Sequence, residues 1–358
     1  MKILDLYMRV IHASKRKSAA YTRFVKRNLL RIIKLDLGKQ IEINYVDLNP
    51  FKSKIGYISN YLEGVTIKLQ TEYGPYSHTY SERFSVELEN VLVDTENNFL
   101  YIDTGDGYLL LNESTEWPVE NILSTTKLPK IKEYEKIDKA SLGLPNTGFY
   151  HWVSEDLPNF LELTSDYAYL NYSKSSNSNV LILNQTKRDF IQVPKYVYVK
   201  RLKFNSKGKD LGKISPNNIA TLRNFSSNLG ANSQINKKEI FYISRSKSRR
   251  SLNNEGELEK LLKDFGVSVI YAETLNFFEQ IKLFSNAKLI IGAHGAGLVH
   301  GVWADNCALF EIVDDQSINR CFEWQTLVQK NRYKRFKISK KPNYPLLARE
   351  IYDSIQKL

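Results

Sequence analysis

The chain has 358 residues, of which 42% are hydrophobic and 25% are charged, and its formal net charge is +12. This is an ordinary globular profile, and the chain is long enough for two domains with full cores. Two cysteines, Cys307 and Cys321, are too few to staple a fold of this size, so a disulfide framework is excluded. A reducing compartment is the simplest interpretation.

Residues 1–40 carry most of the excess charge, since eleven Lys and Arg against two Asp give +9 of the +12. Apolar residues alternate with basic ones there, which predicts a basic amphipathic helical arm that can lie on an anionic membrane surface. A solvated helix packed on the domain, or a partner-binding arm, is the alternative. No helix-turn-helix, zinc or RNP pattern accompanies the charge, so we expect no nucleic-acid partner.

The sequence contains no apolar run near the roughly 18 residues that a membrane span needs. Asp5 and Arg9 interrupt the only candidate core of a signal peptide. We therefore expect a cytoplasmic protein that is peripheral on the inner face of the membrane.

Residues 41–125 are expected to form a β-rich lead-in, because short apolar runs there alternate with Gly, Asn and Asp. The predicted strands are 66–70, 84–88, 91–93, 99–102 and 108–111, with two more at 180–183 and 196–199. The triplet Asp103-Thr104-Gly105 is interpreted as a hairpin turn rather than a protease site, because the chain has no second such triplet. We expect a loop or lid at 126–145, and a linker within 201–236 that contains a helix at 217–225.

Strands and helices alternate between residues 239 and 313, which predicts a parallel, doubly wound sheet. The predicted strands are 239–245, 267–271, 289–291 and 308–313, and the predicted helices are 253–266, 276–285 and one that begins near 298. Ligands of such sheets lie at the carboxyl ends of the strands. Arg245, the 292–297 loop and the 311–315 segment all fall there.

The loop after the third of these strands has the spacing Gly292-x-x-Gly295-x-Gly297. This is neither the dinucleotide-binding nor the P-loop pattern. Glycines let the backbone approach a ligand, and the start of the following helix offers N–H groups that suit a phosphate. His294 adds a side-chain donor. A tight turn without any ligand is the alternative.

Several motifs in this order resemble glycosyltransferase family 61. They are Tyr-Ile-Ser-Arg-x-Lys-x-Arg-Arg at 242–250, Asn254-Glu255, Phe-x-Glu-Gln at 277–280, Ala287, Gly-Ala-His-Gly-Ala-Gly-Leu at 292–298, Glu311-Ile312 and His-Trp-Val-Ser-Glu-Asp-Leu-Pro at 151–158. The resemblance implies an α/β, GT-B architecture with two Rossmann-like domains, a nucleotide-sugar donor and inversion at the anomeric carbon. We divide the chain into an arm (1–40), an acceptor-side domain (41–215), a nucleotide-sugar-binding domain (216–340) and a C-terminal helix (341–358).

The resemblance also implies that fixed protein charges, rather than a metal, stabilise the leaving diphosphate. Arg245 is the best candidate, because its planar fork matches a phosphate. Glu311 is expected to accept ribose hydroxyls, with a capping or salt-bridged Glu as the alternative. The full predicted donor site is Arg245, Arg249, Arg250, Gly292, His294, Gly295, Ala296, Gly297, Leu298 and Glu311. No Asp-x-Asp follows a strand, so we expect neither a metal nor a cofactor beyond the donor.

The catalytic base is expected among His151, Glu155 and Asp156. If 151–157 is helical, His151 and Glu155 share one face. Glu155 occupies the acidic position of the family motif and is slightly favoured. In the alternative interpretation, His151 and Trp152 hold the helix on the core and Glu155 orients His151.

The sequence therefore predicts an inverting, metal-independent glycosyltransferase. A bacterial surface polysaccharide, capsule or lipopolysaccharide, is the expected product, with a glycan or lipid-linked glycan as acceptor. The alternative is a non-catalytic subunit that binds a nucleotide sugar or a polysaccharide. A Rossmann oxidoreductase is disfavoured, because its glycine pattern is absent after the first strand.

Overall fold

The computed structural model describes residues 45–46, 56–57, 66–71, 74–80, 83–103, 108–111, 134–207, 210, 212–230, 239–248, 251–314, 319–339 and 341–358. The predicted basic arm at 1–40 lies outside these residues, and so do Arg249 and Arg250. Within them, no helix is both long enough and apolar enough to cross a membrane.

The first half of the described chain forms a mixed sheet and a separate hairpin. Its strands are β1 (Tyr45–Val46), β2 (Gly56–Tyr57), β3 (Thr66–Thr71), β4 (Gly74–Thr79), β5 (Phe84–Asp94), β6 (Phe99–Asp103), β7 (Tyr108–Leu111), β8 (Glu135–Ser141), β9 (Tyr169–Tyr172), β10 (Phe190–Val193) and β11 (Tyr196–Asn205). The sheet has the order β1-β7-β6-β5-β11-β8-β9-β10, with β2 on β5, and β3–β4 is the hairpin. Strand β11 pairs antiparallel with β5 and parallel with β8. An antiparallel meander therefore continues into a parallel α/β part.

Three helices accompany these strands within the described residues. Helix α1 runs from Phe149–His151 through a π-helical turn at Trp152–Asp156 into Leu157–Glu162. Helices α2 (Asn177–Thr186) and α3 (Pro216–Asn228) follow. Residues 151–157 are thus helical, which meets the condition under which His151 and Glu155 share one face, and Pro158 lies where the π-helical segment gives way to the α-helical one.

Two of the expectations for this half are wrong. Residues 180–183, predicted as a strand, lie within helix α2, because Ser176 caps the helix by accepting from the Asn179 N–H at 3.2 Å. The apolar run was too short to separate a strand from a buried helix segment. Residues 135–141, predicted as part of a loop or lid, form β8, which is stabilised by its ladder with β11.

Two other boundaries differ from the prediction for reasons visible in the backbone. The strands predicted at 84–88 and 91–93 are one strand, β5, in which Asn90 adopts a positive φ of 57° without ending the ladder. Strand β11 continues to Asn205, inside the predicted linker, because it stays paired with β5 up to that residue and buries Leu202 and Phe204. The hairpin prediction for 103–108 is supported by the antiparallel pairing of β6 with β7.

The second half forms the predicted parallel sheet, with one strand more than predicted. Its strands are β12 (Glu239–Ile243), β13 (Ser268–Ile270), β14 (Ala287–Ala293), β15 (Ala308–Asp314) and β16 (Tyr333–Ile338), in the order β13-β12-β14-β15-β16. Its helices are α4 (Glu255–Asp264), α5 (Phe277–Phe284), α6 (Cys321–Val328) and α7 (Tyr344–Ile355), with 3₁₀ segments at Ala272–Thr274 and Ala296–Val302. In order of sequence this is the 2-1-3-4-5 arrangement of doubly wound folds.

The two halves share one hydrophobic core. Trp152 and Val153 of helix α1 belong to the same buried cluster as Val299 of the 3₁₀ segment Ala296–Val302 and Trp303, which directly follows that segment. The Trp152 ring lies edge-on to Phe277 of α5 at 4.9 Å. Helix α1 is therefore fixed against the parallel sheet's helical layer, which positions His151 relative to the carboxyl ends of that sheet.

His300 is a buried histidine in this shared core. Its Nδ1 accepts a hydrogen bond from Trp303 Nε1 at 3.0 Å, and its ring stacks on Phe284 at 4.5 Å. Burial lowers the pKa of His300 from its ordinary 6.5 to about 3, because a charged imidazole there would lose its hydration. The ring therefore packs as a neutral aromatic group.

This burial predicts a specific pH dependence of stability. In the unfolded chain the His300 imidazole is protonated below pH 6.5, whereas in the native protein it stays neutral down to about pH 3. Between these two values the unfolded state binds more protons than the native state, so the free energy of unfolding falls as the pH decreases. At about pH 5 the loss is roughly 2 kcal/mol. His300→Phe should remove this pH dependence, because phenylalanine does not titrate. The free energy of unfolding of wild type minus that of the variant, measured by urea unfolding, should therefore fall by roughly 2 kcal/mol from about pH 7.5 to about pH 5. Val299→Ala is the control, and it should lower the free energy of unfolding by the same amount at both pH values. If the effect of His300→Phe on the free energy of unfolding is also independent of pH, the lowered pKa of His300 is contradicted.

Candidate active site

The parallel sheet has a switch point between β12 and β14, from which the chain leaves to opposite sides. Arg245 follows the end of β12 by two residues, and His294 directly follows β14. Such a point leaves a crevice at the carboxyl edge of the sheet, where doubly wound proteins bind their ligands. The sequence placed both residues at this edge, and the structure brings them into direct contact.

Arg245 is held from both ends. Its backbone N–H donates to Glu255 Oε1 at 2.8 Å, and the same oxygen accepts from the Tyr242 hydroxyl at 2.7 Å. Its guanidinium Nη1 donates to the His294 carbonyl. Glu255, which is 2% exposed, thus fixes the turn that carries Arg245. The sequence signalled Glu255 only as part of a motif, and its positioning role was missed.

The glycines of the 292–297 loop have separate structural reasons. A Cβ on Gly295 would lie 2.6 Å from Arg245 Nη1, so a side chain there would displace the guanidinium from its present position. A Cβ on Gly292 would lie 3.3 Å from the Ile243 carbonyl oxygen, and one on Gly297 would lie 3.2 Å from Ile243 Cγ2. Close strand-to-strand and strand-to-helix packing therefore explains two glycines, and the placement of Arg245 explains the third.

The segment after this loop is a 3₁₀ helix rather than the α-helix that the sequence suggested. It includes Ala296 and Leu298, and the Leu298 N–H donates to the Gly295 carbonyl at 3.0 Å. The Leu298 side chain is buried in the shared core. A role for the backbone N–H groups of this segment in holding a phosphate stays a prediction.

His294 forms a dyad with a fully buried carboxylate. Its Nδ1 lies 2.5 Å from Glu311 Oε1, and Glu311 is 0% exposed. The other oxygen, Oε2, accepts from the Tyr333 hydroxyl and from Arg335 Nη2, the latter at 3.2 Å. Sequence reasoning missed Tyr333 and Arg335. Both lie on the same face of β16, which pairs with β15, and Arg335 is the register partner of Glu311.

These contacts bear on the role predicted for Glu311. Both of its oxygens are engaged inside the protein, as in the salt-bridged alternative. A ribose contact through Glu311 requires one of these bonds to break, and breaking a bond to a buried charge is costly. The geometry therefore favours a positioning role for Glu311, which orients the His294 ring through its contact with Nδ1.

His151 forms a second dyad on helix α1. Its Nδ1 lies 2.8 Å from Glu155 Oε2, and the other oxygen of Glu155 accepts the Gly212 N–H at 3.0 Å. The side chain of His151 is 34% exposed and that of Glu155 only 9%. The imidazole is thus the accessible partner and the carboxylate lies behind it, an arrangement that can orient a general base.

Asp156, the third candidate base, points away from this dyad. Its Oδ1 accepts from Lys207 Nζ and its Oδ2 from the Thr147 hydroxyl, both at 2.6 Å. Its side chain is 3% exposed. Both oxygens are therefore occupied by the fold, and Asp156 supports the start of helix α1 rather than reaching the crevice.

The two dyads are connected through one aromatic ring, which contacts His294 directly and contacts His151 through its neighbour Tyr150. Phe322 of helix α6 lies 5.2 Å from the Tyr150 ring and 5.3 Å from the His294 ring, edge-on in the first case and tilted steeply in the second. Tyr150 precedes His151 on α1. Beside Phe322, burial raises the pKa of the Cys321 thiol to about 12, with the Glu311 charge adding to the effect. Cys321 is therefore a neutral thiol at neutral pH and not a nucleophile.

Among the residues that the structure describes, no group of three or more His, Cys, Asp and Glu is arranged to hold a metal ion. The crevice presents Arg245, His294 and His151 instead. These are groups that bind anions or exchange protons. The arrangement suits a ligand with a negatively charged part near Arg245 and a reacting hydroxyl near His151.

Two comparisons with known proteins agree with the motifs. Residues 149–310 match the family model described as Glycosyltransferase 61, which confirms the family resemblance. A 102-residue stretch is 32% identical to the EGF domain-specific O-linked N-acetylglucosamine transferase of Drosophila melanogaster and covers 27% of this chain. That stretch covers 19% of the Drosophila protein's length, so the chain spans a small part of this curated relative. The family match begins with helix α1 and includes His151, Arg245 and His294.

The burial of Glu311 gives a stability prediction. Glu311→Gln should leave Arg335 without its buried counter-charge and should lower the free energy of unfolding by about 3 kcal/mol. Chemical unfolding at neutral pH measures this, with Glu350→Gln on the exposed face of α7 as the matched control. A change within about 0.5 kcal/mol, as expected for a surface substitution, would show that Glu311 does not support the crevice.

Proposed function

We propose that this chain, whose residues 149–310 match glycosyltransferase family 61, is an inverting glycosyltransferase of the GT-B type. It moves a sugar from a nucleotide-sugar donor to a hydroxyl of a glycan acceptor. The single observation that carries the proposal is the pairing of two groups at one crevice. Two side chains that can donate to an anion, Arg245 and His294, lie at the switch point of the parallel sheet, and a histidine–carboxylate dyad lies on helix α1.

The donor side is built for a diphosphate. The Arg245 guanidinium has five N–H donors, and its Nη1 donates to the His294 carbonyl in the loop. The planar guanidinium suits phosphate oxygens. His294 is held at Nδ1 by Glu311, so its Nε2 is directed to the ligand side. A protonated imidazole donates from Nε2 to a phosphate oxygen. Fixed charges of this kind stabilise a leaving group without reorganisation as negative charge develops.

The acceptor side assigns the base to His151 and the orienting role to Glu155. With its Nδ1–H donated to Glu155, the imidazole presents the lone pair of Nε2. In the transfer, His151 Nε2 takes the proton of the acceptor hydroxyl while that oxygen bonds to the anomeric carbon. The bond from that carbon to the diphosphate oxygen breaks, and the electron pair leaves with the nucleoside diphosphate. One displacement from the opposite face inverts the anomeric configuration.

The wider role follows from the same chemistry. A site of fixed cations handles the leaving group without a metal. We propose a glycan or lipid-linked glycan of a bacterial surface polysaccharide as acceptor, with the basic segment 1–40 on the anionic inner face of the membrane. The Drosophila relative is named as a transferase of N-acetylglucosamine, so UDP-N-acetylglucosamine is the first donor to test.

The proposed donor site predicts that the protein binds one family of nucleotides. Among UDP, CMP, GDP and their sugars, one nucleotide family should stabilise the protein without metal, by roughly 2.7 kcal/mol at ~100 times its Kd. Thermal unfolding measures this. Arg245→Ala should abolish the shift, and so should Gly295→Ala, whose Cβ occupies the place of the guanidinium.

Gly256→Ala is the matched glycine control, since a Cβ there meets nothing within 4 Å. It should keep the full shift. No response to any nucleotide, or an equal response in Gly295→Ala, would contradict a diphosphate site at Arg245. A nucleotide response with no transfer to any acceptor would favour the non-catalytic binding subunit.

The base assignment gives a second prediction. His151→Ala should lower kcat by roughly 10³-fold and leave the Kd of the nucleotide unchanged, because the donor grip lies on the other half. Glu155→Gln should lower kcat less, since its remaining oxygen still orients the ring. Steady-state kinetics and nucleotide titration measure both. A larger loss in Glu155→Gln than in His151→Ala would transfer the role of base to Glu155.

A further inference from the structure

We propose that His78, on the β3–β4 hairpin, is a positioning residue for the catalytic dyad, and this inference rests on the proposed function. His78 lies outside the segment that matches the family, which begins at residue 149. It acts through the connection between β11 and α3, of which the structure describes residues 206–207, 210 and 212–215. The hairpin would thus complete an active site whose chemical groups all lie elsewhere in the sequence.

The hairpin is anchored to the second half of the protein. The Trp324 indole of helix α6 is fully buried, and its Nε1 donates to the Tyr80 hydroxyl at 3.0 Å. The Tyr76 ring packs edge-on to Trp324 at 4.9 Å, and Arg320 donates to the Thr71 hydroxyl at 2.6 Å. These contacts fix the inner face of the hairpin, which carries His78.

His78 reaches from this anchored face to the connection. Its Nε2 lies 2.7 Å from Asp210 Oδ1, and the two side chains are 15% and 12% exposed. The His78 ring is itself wedged edge-on between Tyr80 at 4.9 Å and Trp324 at 5.9 Å. A hydrogen bond that is largely removed from water and has one rigid partner holds its other partner in place better than an exposed one does.

Two residues after Asp210, the connection contacts the dyad. The Gly212 N–H donates to Glu155 Oε1 at 3.0 Å, and the Gly212 carbonyl accepts from the Tyr150 hydroxyl at 3.3 Å. Gly212 has a φ of +73°, a conformation that directs its N–H to Glu155 and that other residues rarely adopt. The connection therefore grips helix α1 at the residue before His151 and at its carboxylate partner.

The connection is fixed on its other side by the same hairpin. The Ile214 carbonyl accepts from the Tyr80 hydroxyl at 3.0 Å and from Trp324 Nε1 at 3.2 Å. The hairpin thus holds the connection at Asp210 and at Ile214, on both sides of Gly212. If the Asp210 contact is lost, Gly212 is held from one side only. Glu155 then loses its second fixed donor and turns more freely, and the His151 ring turns with it.

The test compares three variants of the full chain. His78→Leu removes the bond to Asp210 and keeps an apolar side chain against Trp324. His78→Gln is the rescue variant, because its amide Nε2 can donate to Asp210 from about the position of the imidazole Nε2. Ser77→Ala, on the exposed face of the same strand, is the matched control.

Two measurements are made on each variant. The first is the kinetic constants, in which His78→Leu should lower kcat by roughly 10-fold through misalignment while KM for the donor stays unchanged. The second is the hydrogen exchange of the Gly212 amide, read by NMR with ¹³C-labelled Leu and ¹⁵N-labelled Gly, since Leu211–Gly212 is one of four Leu–Gly pairs. This exchange should quicken at least about 10-fold in His78→Leu. Both values should return to those of wild type in His78→Gln and stay there in Ser77→Ala.

The outcomes separate this inference from the proposed function. Unchanged Gly212 exchange in His78→Leu, or a loss of kcat that His78→Gln does not rescue, would overturn the role of His78. A rise in donor KM with kcat unchanged would also overturn it. If wild type transfers no sugar but Gly212 exchange responds as described, the proposed function fails and the mechanical coupling stands without its catalytic purpose.

Discussion

The crevice depends on one constraint, which is that the carboxylate of Glu311 has no access to water. A carboxylate in that position must find its partners within the protein, and it does so in His294, which directly follows β14, and in Tyr333 and Arg335 of β16, on either side of β15. Removing any one partner leaves a buried charge incompletely paired. The carboxyl edge of the sheet is therefore rigid where the ligand-binding crevice opens, and the ring of His294 has one fixed orientation.

The same device occurs a second time across the crevice. In both dyads Nδ1 of the histidine meets a carboxylate that is at least nine-tenths buried, while about a third of the ring is exposed. The two environments differ in what lies behind the carboxylate. Glu311 rests on Arg335, a permanent cation, whereas Glu155 rests on the Gly212 amide, which carries no net charge. The two proposed roles, at the diphosphate and at the acceptor hydroxyl, thus fall on histidines with different carboxylate surroundings.

Sequence reasoning succeeded where one physical signal dominated. The alternation from 239 to 313 is strong because the central strands β14 and β15 are buried on both faces while the helices between the strands bury one face, so strands β12 to β15 were predicted correctly. The helical spacing of His151 and Glu155 likewise gave a true contact. It failed at 180–183, where a side-chain cap decides between helix and strand, and at 135–141, where a polar strand forms because β11 pairs with it.

The supporting residues were out of reach for a related reason. Tyr333, Arg335, His78 and Gly212 act through contacts between segments far apart in the sequence, and no local pattern encodes such contacts. The spacing of the loop glycines indicated close approach of the backbone to a ligand, but the structure gives each glycine a different packing reason. Two of them satisfy packing against Ile243 and one admits the Arg245 guanidinium, so their spacing reflects the geometry of this crevice rather than a general phosphate-binding motif.

The most direct test of the account is a crystal structure with the nucleoside diphosphate of the donor and an acceptor fragment bound together. The account predicts the diphosphate against the Arg245 guanidinium and His294 Nε2, with an acceptor hydroxyl within hydrogen-bond distance of His151 Nε2 and no metal between the phosphates and the protein. A diphosphate bound away from Arg245, or a hydroxyl that meets another side chain while His151 contacts no substrate, would contradict it.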